Sequence, residues 1–274
     1  MSDANISNDQ PLPPGPSYSD TMKPEEPAGP KMSMGETLAS IFFEPGRTFE
    51  ALRARPRFLI AGLILIVAYM IFSTLYFQKI GYERIVRAQA DQQRAKSNAT
   101  EEQVEQGVQF QLKPAFKVFR LLSPIIGFVI VIAAGAALYL LGAMLMGRGI
   151  SYKQALSVWV YSSLPPTVLI MLLNIVLLFI HPPEDDAEVL QGAGRGLVHA
   201  NPSILVNGTD HPVLATALGS IDAFAIYGLF LGALGLRLVG KMSSGTAWTI
   251  VLGLWIIGLV LRVAIATLTG NVIA

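Results

Sequence analysis

The chain has 274 residues, of which 52% are hydrophobic and 14% charged, with a formal net charge of +1 and no cysteine. Soluble domains carry about a quarter of their residues as charges, so this composition belongs to a membrane protein. A near-neutral chain lacks the basic excess that nucleic acid requires, and without cysteine there are no disulfides, thiolate nucleophiles or Cys-ligated metals.

Residues 1–31 are polar and rich in proline (Pro11, Pro13, Pro14, Pro16, Pro24, Pro27, Pro30), a composition that buries too little apolar surface to order itself, and a disordered cytoplasmic tail is expected. No basic-then-apolar start is present, so an internal segment is expected to direct membrane insertion. Residues 32–57 read as an amphipathic interfacial segment. Ser33 and Glu36 have the spacing of a capping box, Met34, Leu38, Ile41 and Phe42 share a helical face, and Pro45-Gly46 breaks the chain before a second short apolar face at Phe49 and Leu52. Set among Arg47, Arg53, Arg55 and Arg57, such helices are expected to lie flat at the headgroups with the apolar side down.

Residues 58–270 form the membrane domain, with five stretches apolar over the roughly 20 residues needed to cross about 30 Å of hydrocarbon: 58–77, 121–146, 152–180, 213–239 and 246–268. The Lys79–Lys117 loop between the first two spans predicts a helical hairpin, with Thr100 and Gln103 as a second capping box and Val104, Val108 and Leu112 at helical spacing. The expected fold is thus an all-α integral membrane protein of five transmembrane helices, a tail, interfacial helices and an external hairpin.

Lys and Arg near the span ends set orientation. Arg53, Arg55 and Arg57, then Arg148 and Lys153, then Arg237 and Lys241 fall on one side by alternation, while the loop at 182–212 is acidic and the C-terminal "TGNVIA" uncharged. The N-terminus is expected in the cytoplasm and the C-terminus outside. The Lys79–Lys117 loop dissents, with seven basic residues against five acidic ones on the external side.

The third span, "SYKQALSVWVYSSLPPTVLIMLLNIVLLFI", opens as an N-capped helix expected to lie partly in the interface before the chain dives. Pro165 and Pro166 donate no amide hydrogen, leaving the carbonyls of Tyr161 and Ser162 bare. Ser162 and Ser163 are candidates to satisfy them, and the break is expected to face protein. Asn174 is expected to donate a hydrogen bond between helices. Asp222 and Arg262 fall at similar depth on adjacent spans, which predicts an ion pair; the alternative places Asp222 in the first turn of a helix capped by Ser220. Gly228 with Gly232, and Gly135 with Gly142, mark close helix packing, within one chain or at the seam of a homo-oligomer.

Catalysis is not expected. His181, His199 and His211 are metal candidates by inventory only, since their spacing fits no helix-borne ligand pattern, and "GAGRG" at Gly192–Gly196 lacks the Lys-Ser/Thr of a phosphate loop. No cofactor is implied.

The order of "FFEPGRTFEALRARP" before span one, "YKQALSVWVYSSLPP" opening span three, "IDAFAIYGLFLGALGLRL" in span four and "GTAWTIVLGLWII" in span five resembles the Yip family, named for Ypt/Rab-interacting proteins, over about residues 33–270. The Arg-rich lead into span one is similar to the bacterial branch, where no Rab GTPase or vesicle traffic exists. The resemblance implies a five-helix domain of the cytoplasmic (inner) membrane that works as an interaction or scaffold protein. Some bacterial relatives accompany ABC-type exporters, so the expected partners are the lipid bilayer and an exporter subunit or a second copy. The alternative is a small transporter or channel lined by the proline break, Asn174 and Asp222.

Overall fold

The computed structural model describes residues 29–96, 99–180, 197–208 and 210–273. Most of the expected tail, His181, the acidic run from Glu184 to Glu188 and the glycine-rich Gly192–Gly196 lie outside these residues. Among the described residues the fold is helical, without a strand.

Helix α1 (Met34–Phe43) starts at a reciprocal cap in which the Glu36 amide donates to Ser33 Oγ at 3.1 Å and the Ser33 amide to Glu36 Oε2 at 3.3 Å. Pro45, which has no amide to leave unpaired, opens α2 (Pro45–Ala54). The first long helix, α3 (Leu59–Ile80), stops at Gly81, whose φ of +93° a residue with a side chain rarely adopts. The hairpin follows as α4 (Tyr82–Lys96) and α5 (Glu101–Leu112), the latter capped reciprocally by Thr100 and Gln103. Its seam is apolar, with Val108 packed against Tyr82 and Val86.

Two long helices come next, α6 (Pro114–Leu145) and α7 (Tyr152–Ile180). After the loop that follows α7, α8 (Pro212–Gly219) and α9 (Ala223–Val239) meet at a bend of 46°, and α10 (Ser244–Thr269) closes the bundle. By length and composition α3, α6, α7 and α10 can each cross a membrane, and the bent α8–α9 pair supplies a fifth crossing if its two helices form one span. The charges at Lys117 and Arg120 suggest a start for span two near Leu121; the helix instead begins at Pro114 and carries Pro124 within it.

The core is organised around α7, which packs on α3, α6 and α9, while α10 leans on α9 and α8. The first half of α7 is the most enclosed stretch, with Ala155, Val158, Tyr161 and Leu164 buried. Helix α7 is continuous through this stretch, and from Ala155 onward its opening turns are covered largely by protein. Ser151 caps it, taking the Gln154 amide at 3.2 Å.

The helices before span one face differently from expectation. Ile41, Phe49 and Leu52 are buried in the main core, and the collar of α1 and α2 turns its apolar side onto α7 and α9 rather than onto lipid. Gln154 Nε2 donates to the Arg53 carbonyl at 2.9 Å, tying collar to bundle. An amphipathic pattern requires an apolar cover but does not say whether lipid or protein supplies it.

Three of the four singled-out glycines are required by close approach. A Cβ at Gly135 would overlap the Trp159 ring, one at Gly232 would overlap the Tyr139 hydroxyl, and one at Gly142 would lie 2.5 Å from Ile250 Cγ2. These contacts are made within one chain. At Gly228 the nearest atom would be Pro166 Cγ at 3.7 Å, ordinary contact, so an alanine fits.

Candidate functional site

The polar chemistry of the apolar segments comes together in two features of the bundle: the proline pair of α7 and the place where the loop after α7 returns to the helices.

At the break, Pro165 and Pro166 are buried, so it faces protein. The serines do not rescue the freed carbonyls. Ser162 Oγ and Ser163 Oγ both donate to the Trp159 carbonyl, each at 2.9 Å, because a helical hydroxyl reaches the carbonyl three or four residues back. The bare Ser162 carbonyl looks onto Gly228 of α9, where an added Cβ would lie 3.8 Å from the oxygen. The Tyr161 hydroxyl is buried without a hydrogen-bond partner among the described residues.

Asn174 holds the returning loop. Its Oδ1 accepts the amides of Leu197 and Val198, the second at 3.0 Å, and its Nδ2 donates to the Ile170 carbonyl at 2.8 Å. The expected donor between helices is instead an acceptor for two backbone amides 23 and 24 residues further on. Two orphaned donors meet both lone pairs of one carbonyl oxygen.

A few residues later the same loop meets Asp222. Asp222 caps α9 itself, its Oδ1 accepting the amides of Phe224 at 2.9 Å and Ala225 at 3.2 Å, and its Oδ2 taking Asn201 Nδ2 at 3.3 Å. The Ala223 amide donates to the Ala200 carbonyl at 3.1 Å. The expected Asp222–Arg262 ion pair is not formed, because the carboxylate is occupied by the helix amides, where its charge also suits the helix dipole. Ser220, proposed as the cap, instead closes α8 by donating to the Thr216 carbonyl at 3.0 Å. Arg262 stands half-buried on α10 with no ion pair to a described carboxylate. The chain end joins this knot as well, the Ile273 amide donating to Thr216 Oγ1 at 2.9 Å.

Asn201 and Thr216 are participants that sequence reasoning missed. Asn-Pro at 201–202 is a turn signal that could have drawn attention to the first; nothing local marks the second. No group of three metal-binding side chains gathers among the described residues. His211 precedes α8 without capping it through its side chain, and His181 falls outside the description.

The hairpin carries its own ion pairs. Arg87 binds Glu83 at 2.9 Å and Glu105 at 3.0 Å, and Arg94 approaches Glu101 at 3.6 Å. The Gln109 amide, and then Arg87, hold the Glu105 carboxyl below the usual carboxylate range, while Glu105 and Glu83 push Arg87 further up.

Four apolar helices long enough to cross a membrane, the bent α8–α9 pair as a candidate fifth span, and inward polar groups bonded to the chain's own backbone define a polytopic helical membrane protein. The Yip1 domain model matches residues 39–265, and the chain belongs to that family. No protein of curated function and no solved structure matches it.

Proposed function

We propose that the protein is a multi-pass scaffold that binds other membrane proteins through its inner collar and outer hairpin, and that it is accessory to a membrane transport complex such as an ABC-type exporter. One observation carries this reading: Asn174 and Asp222, the polar groups best suited to line a pathway, spend their acceptors on the chain's own amides. A transported solute would find the same groups already engaged, whereas the collar and hairpin offer exposed side chains such as Phe43 (85% exposed) and Phe110 (55%).

The N-terminus and collar belong in the cytoplasm in this reading and the C-terminus outside the inner membrane. Support comes from the clustering of basic residues at one end of the bundle, where Arg53 meets Gln154 near the α6–α7 turn that bears Arg148. Cysteines introduced singly at Gly149 and Asn207 of this cysteine-free chain test it: an impermeant thiol reagent applied to intact cells is expected to label only the second.

The scaffold itself is tested by quantitative mass spectrometry of native membranes in mild detergent. A near-stoichiometric membrane protein that disappears with Phe43→Ser or Phe110→Ser supports the proposal. A homo-oligomer without a partner, whose solute flux in vesicles is lost with the cap-preserving Asp222→Asn, overturns it in favour of transport.

A further inference from the structure

The outer ends of α3, α6 and α7 each deliver part of a belt of cations on aromatic rings. Lys79 Nζ lies 5.6 Å from the centre of the Phe179 ring, Lys117 Nζ and the Arg120 guanidinium lie 5.5 Å and 5.9 Å from that of Tyr82, and Lys113 Nζ lies 5.3 Å from that of Phe110. Helix α3 fixes the height of the belt. Its 22 residues rise about 33 Å, close to the thickness of the hydrocarbon layer, so Lys79 in its last turn and Tyr82 just beyond it mark the outer boundary. Lys117 and Arg120 share the Tyr82 ring and therefore stand at that level too.

The charges in this part of the molecule are segregated. Glu83, Glu105 and Glu101 are taken by Arg87 and Arg94, and Arg120 is held by the side chains of Gln111 and Gln89. Lys79, Lys113 and Lys117 form no ion pair with a described carboxylate; rings are their neighbours. Beside them Val118, Phe119 and Leu122 are exposed (56%, 60% and 47%), and this apolar strip continues down α6 into the exposed Ile126, Val129 and Ile130. Unpaired ammonium groups over aromatic rings, at the top of a lipid-facing strip, match a phospholipid on both counts: phosphate for the lysines, acyl chain for the strip.

We propose that Lys79, Lys113 and Lys117 form a binding belt for anionic phospholipid headgroups of the outer leaflet, with the acyl chains running along Phe119 and Leu122. The belt accounts for the basic loop on the external side that runs against the charge rule for orientation: these lysines serve the membrane surface. The inference stands apart from the scaffold reading, since it needs no protein partner.

The test uses the full chain in nanodiscs of phosphatidylcholine alone or with about a quarter phosphatidylglycerol, counting retained lipid by native mass spectrometry after extraction into mild detergent. The wild type is expected to retain phosphatidylglycerol over phosphatidylcholine. Lys79→Gln/Lys113→Gln/Lys117→Gln is expected to weaken that retention on the order of tenfold or more at low salt, and the triple lysine-to-arginine variant to restore it. Arg148→Gln/Lys153→Gln/Lys241→Gln at the inner end reports cytoplasmic-leaflet lipid separately and is expected to keep the outer-belt lipid. Equal retention of the two lipids by the wild type, full retention by the outer-belt glutamine variant, or displacement of the lipid by inorganic phosphate at equal concentration would each overturn the proposal.

Discussion

The collar-side half of the bundle, the inner one in the proposed orientation, and the opposite, outer half are fixed by different forces. At the inner end Ile41, Phe49, Val158, Tyr161 and Leu236 are enclosed almost completely, and an added Cβ at Gly235 would come within 2.7 Å of Val158 and 2.8 Å of Phe49. In the outer half, α7 exposes Leu172, Leu173, Val176 and Phe179, and it is tied to the returning loop by Asn174. The difference follows from the solvent. The collar helices are short, carry Glu36, Arg47 and Arg53, and lie outside the spanning segments, so their apolar face gains by leaving water, whether protein or lipid covers it. Between helices in hydrocarbon that driving force is missing, and close packing and polar contacts carry the specificity.

The comparison is broken most severely at the inner end. Phe49→Ala should cost about 3–5 kcal/mol and release the collar, seen as early unfolding of the purified protein and new protease cleavage between α1 and α3. Asn174→Leu strands two amides at about 1–3 kcal/mol each, roughly 2–6 kcal/mol in all. Its damage should stay local, with hydrogen exchange rising at Leu197–Asn201 while the collar remains protected; loss of collar protection would show that the halves are not independent.

Asp222→Ala removes a cap and the hold on Asn201, an expected loss of about 1 kcal/mol, whereas Asp222→Asn, itself a good cap, should fall within a few tenths of wild type. If the Asn variant were as unstable as the Ala variant, the charge rather than the cap would matter. The smallest effect concerns the hairpin. Its Glu105 carboxyl is held low, so the contribution to stability is present above the ordinary carboxylate range and is lost as pH falls through the lowered value. Amide exchange in α4 and α5 should accelerate in acid before that of α7, and Glu105→Gln should remove this step.

The crossings were legible because a run of about 20 apolar residues has few other destinations. The capping boxes at Ser33 and Thr100 were legible as well, since such a cap is a local pattern four residues long. What escaped depended on distant partners. The face of α1 and α2 was visible in Ile41, Phe49 and Leu52, but its cover was not, because bundle and lipid are equally apolar. Asn174 stood out as a polar residue in a span, yet its partners lie in a loop whose path no local rule fixes. Asp222 offered two readings, an ion pair with Arg262 or a first-turn position behind a Ser220 cap, and the structure takes neither: Asp222 is itself the cap, a role fixed by where the bend after Gly219 starts α9. Thr216 carried no mark at all, and the Ser151–Gln154 capping spacing marked a helix start but not the tie from Gln154 to the Arg53 carbonyl.

The Asn174 clasp also bears on how the protein is made. Its two amide donors belong to a segment that follows α7 in the chain, so the clasp closes only after residues 181–196 have been delivered to the same face of the membrane as the end of α7. The clasp therefore forms late in synthesis, once Leu197 and Val198 have followed α7 out of the ribosome.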